Sequence, residues 1–124
     1  MILCDTNIFI EFYKRNEIIV QSLHNIGKEN IGLSSITEAE LLYGALNSQE
    51  LRKLQKHLAM CRQYSLNVAI SDVFIDLMSR YALSHKPSIP DLLIGATAIV
   101  NNLELFTLNT KDFKFIPEIK LYKP

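Results

Sequence analysis

Four acidic residues stand where a chain commonly turns toward a reactive site. Asp5 follows the short apolar start Met1-Ile2-Leu3-Cys4. Glu40 lies in Ser34-Ser35-Ile36-Thr37-Glu38-Ala39-Glu40-Leu41. Asp91 follows Pro90 and precedes the apolar run Leu92-Leu93-Ile94-Gly95-Ala96-Thr97-Ala98. Asp112 closes Phe106-Thr107-Leu108-Asn109-Thr110-Lys111-Asp112-Phe113. They are far apart in sequence, so only folding could gather them. Carboxylates brought together repel one another, and such a site needs protons or a divalent cation. Hard oxygen ligands suit Mg²⁺ or Mn²⁺.

The elements that would position these acids alternate between short strands and helices, the pattern of an α/β fold with a parallel sheet. Met1–Cys4 reads as a buried strand. Asn7 is placed to cap a helix through Tyr13, and residues 16–27 read as a second helix stopped by Gly27. Residues 30–33 form the next strand, and Ser35 starts a helix reaching Leu46. Ser48 would cap a helix with Leu51, Leu54, Leu58 and Cys61 on one stripe. Residues 66–68 are the expected third strand. Ser71 would cap a helix with Phe74, Leu77, Met78 and Tyr81 at i, i+3, i+4, i+7 spacing. Residues 85–90 read as a loop and Asp91–Val100 as a central, buried helix. Residues 105–107 and 119–121 are the last two strands, the second at an edge. In an open parallel sheet, ligands bind outside the carboxyl ends of the strands. Asp5 and Asp112 follow strands, and Glu40 and Asp91 sit in first turns of helices.

Each acid also has an ordinary explanation. Asp5-Thr6-Asn7 fits turn or capping chemistry. Ser35-x-x-Glu38 and Thr37-x-x-Glu40 both fit a capping box. A helical wheel whose apolar arc is Ile36, Ala39, Leu42, Tyr43 and Leu46 places Glu38 and Glu40 on opposite flanks, so it does not choose between them. Asp91 suits a helix N-terminus, an interaction of about 0.3–1 kcal/mol. Asn109-Thr110-Lys111-Asp112 fits a plain turn, and Asn109 competes with Asp112 for a fourth site position.

The bulk properties set bounds. A chain of 124 residues is sized for one domain, 1–124, with its own core. Its 48% hydrophobic and 21% charged content argues against disorder. Thirteen basic and thirteen acidic residues cancel, so any nucleic-acid binding must rest on local patches or metal. Candidate patches are Lys14 with Arg15, and Arg52, Lys53, Lys56, His57 and Arg62 on or near one helix; a solvated helix face is the favoured explanation of these charges. Cys4 and Cys61 have no disulfide-framework spacing, which favours a reducing compartment. No apolar run reaches membrane-spanning length and no charged leader precedes one, so the expected location is cytoplasmic. His24, His57 and His85 lack metal-ligand pairing.

Four stretches together resemble the PIN-domain family, most closely the ribonuclease toxins of VapBC-type toxin–antitoxin pairs. They are Leu3-Cys4-Asp5-Thr6-Asn7; Ser35 to Leu41 with Gly44; Asp91 to Ala98; and Thr107 to Phe113. The resemblance implies a single PIN-like domain, a central parallel sheet flanked by helices. It implies metal-dependent endoribonuclease activity with Mg²⁺ or Mn²⁺. The family's glutamate directly before Leu maps to Glu40, and two further core acids map to Asp5 and Asp91, the three expected metal-site residues. Asp112 occupies the acidic place of an Asp-Phe pair, while Asn109 stands where many relatives carry an acid. Thr107 matches a supporting hydroxyl. The loop before Asp91 is short. The implied partners are an RNA substrate, a cognate antitoxin and a second copy of the chain.

A different class remains open: a non-catalytic PIN subunit serving dimerisation and regulation beside a DNA-binding partner. A haloacid-dehalogenase-like phosphatase needs a second Asp two residues after the first, and position 7 is Asn. A receiver-type signalling domain needs paired acids at the first strand and a Lys at a late strand end; this chain has one acid there and no clear Lys match.

Overall fold

The computed structural model describes all residues, 1–124. Five strands form one sheet: β1 (Ile2–Cys4), β2 (Ile31–Ser34), β3 (Arg62–Tyr64), β4 (Glu104–Phe106) and β5 (Lys120–Leu121). The order is β3-β2-β1-β4-β5 and every pairing is parallel. Six helices connect them: α1 (Thr6–Tyr13), α2 (Glu17–Ile26), α3 (Ser35–Tyr43), α4 (Ser48–Leu58), α5 (Val68–Tyr81) and α6 (Ile89–Val100). The α/β class and parallel sheet expected from the sequence are observed. No helix is long and apolar enough to cross a membrane.

The first strand lies at the centre, and its short run explains the two layers. Successive residues of a strand point to opposite faces. Ile2 and Cys4 join a core with Ile8 and Phe9 of α1, Ile19 and Leu23 of α2, and Leu58 of α4. Leu3 points the other way, onto Ile94 and Ala98 of α6, with Leu105 and Phe113. Behind α6, Leu92 and Ala96 meet Ile70 and Leu77 of α5. The α6 helix is covered on both sides, and this is why its sequence is apolar all round.

Sheet order reverses between β1 and β4, one strand leading outward on each side. Such a switch point opens a crevice at the carboxyl ends of the two strands. Asp5 and Thr107 are the residues that leave those ends.

Several boundaries depart from expectation. The third strand is Arg62–Tyr64, not residues 66–68. It pairs on one side only, with β2, and its half-open position tolerates polar residues; Leu66 and Val68 stay exposed. Helix α5 starts earlier than Ser71, because the Asn67 side chain accepts from the Ile70 amide (2.9 Å). Asp5, not Asn7, caps α1, and Asn47, not Ser48, caps α4. Helix α3 stops at Tyr43, before Gly44, short of Leu46. Its inward residues are Thr37 and Leu41, whereas Tyr43 and Leu46 are almost fully exposed. The apolar arc on the wheel therefore does not mark the buried side. Gly27 ends α2 as expected, at φ +86°, a conformation that favours glycine.

Candidate metal-dependent nuclease site

Asp5 anchors the site. Its amide donates to the Phe106 carbonyl (2.9 Å), tying the end of β1 to β4. Its side chain is only 5% exposed. Oδ1 accepts from the Thr6 amide (2.7 Å), and Oδ2 accepts from the Thr107 hydroxyl (2.8 Å) and the Asn7 amide group (3.3 Å). The Thr107 oxygen in turn accepts from the Asn109 backbone N–H (3.1 Å), and Asn7 Oδ1 accepts from the Leu108 N–H (3.3 Å). The polar triplet after β1 is thus a helix cap and also the clasp that fixes the loop after β4. The capping and site readings of Asp5 describe one arrangement.

Glu40 approaches from α3. The Thr6 hydroxyl donates to Glu40 Oε1 (2.6 Å) and lies 3.1 Å from the Thr37 hydroxyl. Ser34 caps α3 through the Thr37 N–H (3.1 Å) and so sets the start of that helix. Glu38 takes no part in these bonds. Asp91 is the third residue of α6, where the Ser88 hydroxyl caps the helix by accepting from the Asp91 N–H (3.2 Å).

The electrostatics show which charges share the space. Burial raises the Asp5 pKa above the usual carboxylate value; its hydrogen bonds to Thr107 and Thr6 oppose this, and the charges of Asp91 and Glu40 raise it further. Burial also raises Asp91, opposed by Ser88 and reinforced by Asp112 and Glu40. Asp112 is the last residue of the short turn Thr110–Asp112 and is half-buried, whereas Asn109 is exposed. The charges of Asp91 and Glu40 thus act on Asp5, and those of Asp112 and Glu40 on Asp91, while Thr107 bridges Asp5 to Asn109.

None of the four has a basic partner. The ion pairs of the molecule are Lys14–Glu11, Arg80–Asp76 and Arg80–Glu118, none of which includes a site acid. Uncompensated carboxylate oxygens match the donor chemistry of Mg²⁺ or Mn²⁺. As the side chains stand, no three such groups are drawn tightly enough to enclose an ion. The histidines lie elsewhere: His57 bonds Tyr13 (2.7 Å), and His85 stacks on Phe115. Sequence reasoning named Asp5 and Thr107 but missed Thr6 and Asn7 as their partners. The signal was present, as a polar triplet directly after a buried strand.

The Thr107→Val substitution keeps the shape and removes the donor to Asp5. We expect a stability loss of about 1 kcal/mol and an activity loss of about 10-fold, equivalent to roughly 1.4 kcal/mol. The acid limb of the pH–rate profile should move upward, because a bond that lowers the Asp5 pKa is gone. An unshifted profile would show that Thr107 does not tune Asp5.

The PIN domain family profile matches residues 2–118. The chain belongs to the PIN domain family. It is 31% identical over 122 residues to ribonuclease VapC10 of Mycobacterium tuberculosis, covering 97% of this chain and 91% of that protein. It superposes on a toxin–antitoxin complex from Klebsiella pneumoniae with a TM-score of 0.83 at 30% identity, covering all of both chains. It also matches VapBC2 of Rickettsia felis, solved bound to a DNA fragment from its promoter. There the TM-score is 0.80 at 30% identity, over 98% of each chain.

Proposed function

We propose that this protein is a metal-dependent endoribonuclease, the toxin of a toxin–antitoxin pair acting in the cytoplasm. The observation that carries the reading is Asp5, a buried carboxylate at the switch point with acidic neighbours and no basic partner. The ribonuclease and toxin–antitoxin names of its relatives support the same reading.

In this reading Asp5, Asp91 and Glu40 hold Mg²⁺ or Mn²⁺. The ion supplies a lowered water pKa and offsets charge on the phosphate. The chain's own residues arrange the rest. Thr107 and the Thr6 amide fix both oxygens of Asp5. The Thr6 hydroxyl holds Glu40 beside it. The charge of Asp112 adds to the burial that raises the Asp91 pKa, and Asn109 holds the loop through its backbone. No side chain is asked to attack phosphorus. We further propose an antitoxin that covers this site and a homodimer of the toxin.

The test is cleavage of a cellular RNA pool by the purified protein with Mg²⁺ or Mn²⁺, beside EDTA. Discrete fragments that vanish with EDTA are expected. The promoter DNA bound in the Rickettsia felis complex favours a second reading, a regulatory subunit without catalysis. Metal binding without RNA cleavage would support that alternative.

A further inference from the structure

The oxygens of Asp5 and Glu40 are not equally free. A carboxylate has two oxygens with about four lone-pair sites between them. Asp5 Oδ2 accepts two protein hydrogen bonds, from the Thr107 hydroxyl at 2.8 Å and the Asn7 amide group at 3.3 Å. Oδ1 accepts one, from the Thr6 N–H at 2.7 Å. The lone-pair site that remains on this buried acid therefore belongs to Oδ1, and Oδ2 is fully engaged.

Glu40 is tied at one oxygen as well. The Thr6 hydroxyl donates to Oε1 at 2.6 Å, whereas Oε2 has no protein donor. A hydroxyl carries one proton, and that of Thr6 goes to the carboxylate. In the 3.1 Å contact between the two threonines the Thr37 hydroxyl is then the donor. Thr37 is fully buried, and its N–H donates to the Ser34 cap of α3 at 3.1 Å. Thr6 is thus held between two acids, its amide on Asp5 and its hydroxyl on Glu40.

The number of free oxygens matters to a cation. Ca²⁺ gathers about six to eight oxygens and often takes both oxygens of one carboxylate. Mg²⁺ is smaller, demands a near-ideal octahedron and keeps several waters. Two oxygens of one carboxylate sit too close together for neighbouring corners of that octahedron. An acid with one oxygen to give therefore suits the smaller ion.

We propose that the hydroxyls of Thr107 and Thr6 set the cation preference of the site. By engaging Oδ2 of Asp5 and Oε1 of Glu40, they leave each acid one oxygen to give, which favours Mg²⁺ over Ca²⁺. The proposal rests on the metal-dependent reading, and it is tested by binding. Protein stripped with EDTA and dialysed is titrated with Mg²⁺ or Ca²⁺, and the rise in melting temperature gives each Kd. The parent should bind Mg²⁺ more tightly than Ca²⁺. Thr107→Val and Thr6→Val keep the side-chain shape and lose the hydroxyl. Each should lose about 10-fold in Mg²⁺ affinity and hold or gain Ca²⁺ affinity, moving the ratio of the two toward Ca²⁺. Thr107→Ser and Thr6→Ser keep the hydroxyl and should keep the parental ratio. Thr97→Val is the control, because its hydroxyl bonds the Leu93 carbonyl within α6 at 2.8 Å; its ratio should stay parental.

A hydroxyl that only braced the fold would weaken both ions alike when removed. Equal losses for the two ions in both valine variants would overturn the proposal, as would a parent that prefers Ca²⁺ or responds to neither ion. The two readings fail separately. Cleavage that requires Mg²⁺, beside a ratio unmoved by either valine, defeats only the selectivity. Cleavage that persists in EDTA defeats the metal-dependent reading and takes the selectivity with it.

Discussion

Asp5→Asn should cleave RNA at least about 100-fold more slowly than its parent while melting at a higher temperature in metal-free buffer at neutral pH. The activity loss follows from the proposed site: several kcal/mol of charge stabilisation depend on an anionic oxygen at this position, and each 1.4 kcal/mol is about tenfold in rate. The gain in melting temperature follows from electrostatics. A carboxyl whose pKa is raised in the fold binds its proton more tightly folded than unfolded. Its contribution is then most favourable below the unfolded pKa, near 3.8, and is lost as pH rises through the folded value. At neutral pH the fold carries the full cost of a buried charge beside Asp91 and Glu40. Asparagine removes that charge but keeps one acceptor oxygen, so either the Thr6 N–H or the Thr107 hydroxyl and the Asn7 amide lose their acceptor, which offsets part of the gain. The melting-temperature gap should therefore be positive at pH 7 and shrink toward pH 4. Adding Mg²⁺ or Mn²⁺ should reverse the order. An ion at about 100 times its Kd stabilises the parent by about 2.7 kcal/mol and leaves the variant unmoved. Calorimetry across pH, with and without metal, reads each part. A folded Asp5→Asn protein that cleaves at the parental rate would remove Asp5 from the site.

Phe113→Ala should produce the largest loss of stability. The ring is fully buried among Leu3, Ile94, Ala98, Leu103 and Leu105, directly after Asp112. It also lies against Gly95, whose missing side chain leaves room for the ring and for Ile119. Truncating such a phenylalanine costs about 3–5 kcal/mol, a large share of the 5–15 kcal/mol that typically holds a domain. Leu108→Ala, on the same loop but half exposed, should cost less than about 0.5 kcal/mol. Urea unfolding with a common slope separates the two. A loss below about 1 kcal/mol for Phe113→Ala would mean that the ring is not what seats the loop carrying Asn109 and Asp112.

The parts of the fold that were readable in the sequence are those buried on both sides. Ile2–Cys4 and, apart from Thr97, Leu92–Val100 are apolar because sheet or helix covers their faces, and both elements were placed within a few residues. The edge strand Arg62–Tyr64 escaped notice because one-sided pairing demands no apolar run. Helix α3 misled the wheel because Tyr43 and Leu46 are apolar but exposed, while Thr37 is polar yet inside, 3.1 Å from the Thr6 hydroxyl. Periodicity assumes that apolar residues face inward, and here a hydroxyl network takes the inner positions. Glu40 was distinguished from Glu38 by resemblance, and its bond to Thr6 depends on a contact between residues 34 positions apart, which no local pattern encodes. Thr107 could be named early, but its hold on Asp5 spans 102 positions and appears only when β1 and β4 lie side by side.

That pairing also bears on when the protein can act during its own synthesis. The first strand made is the middle strand of the sheet, and its neighbour β4 begins only at Glu104. Until a strand that follows Asp5 by some 100 positions has been made, Asp5 has neither Thr107 nor the Phe106 carbonyl to hold it. A nascent chain therefore emerges with its acids dispersed, and assembly waits for β4. A nuclease built this way has no assembled site while its growing chain is still short of β4.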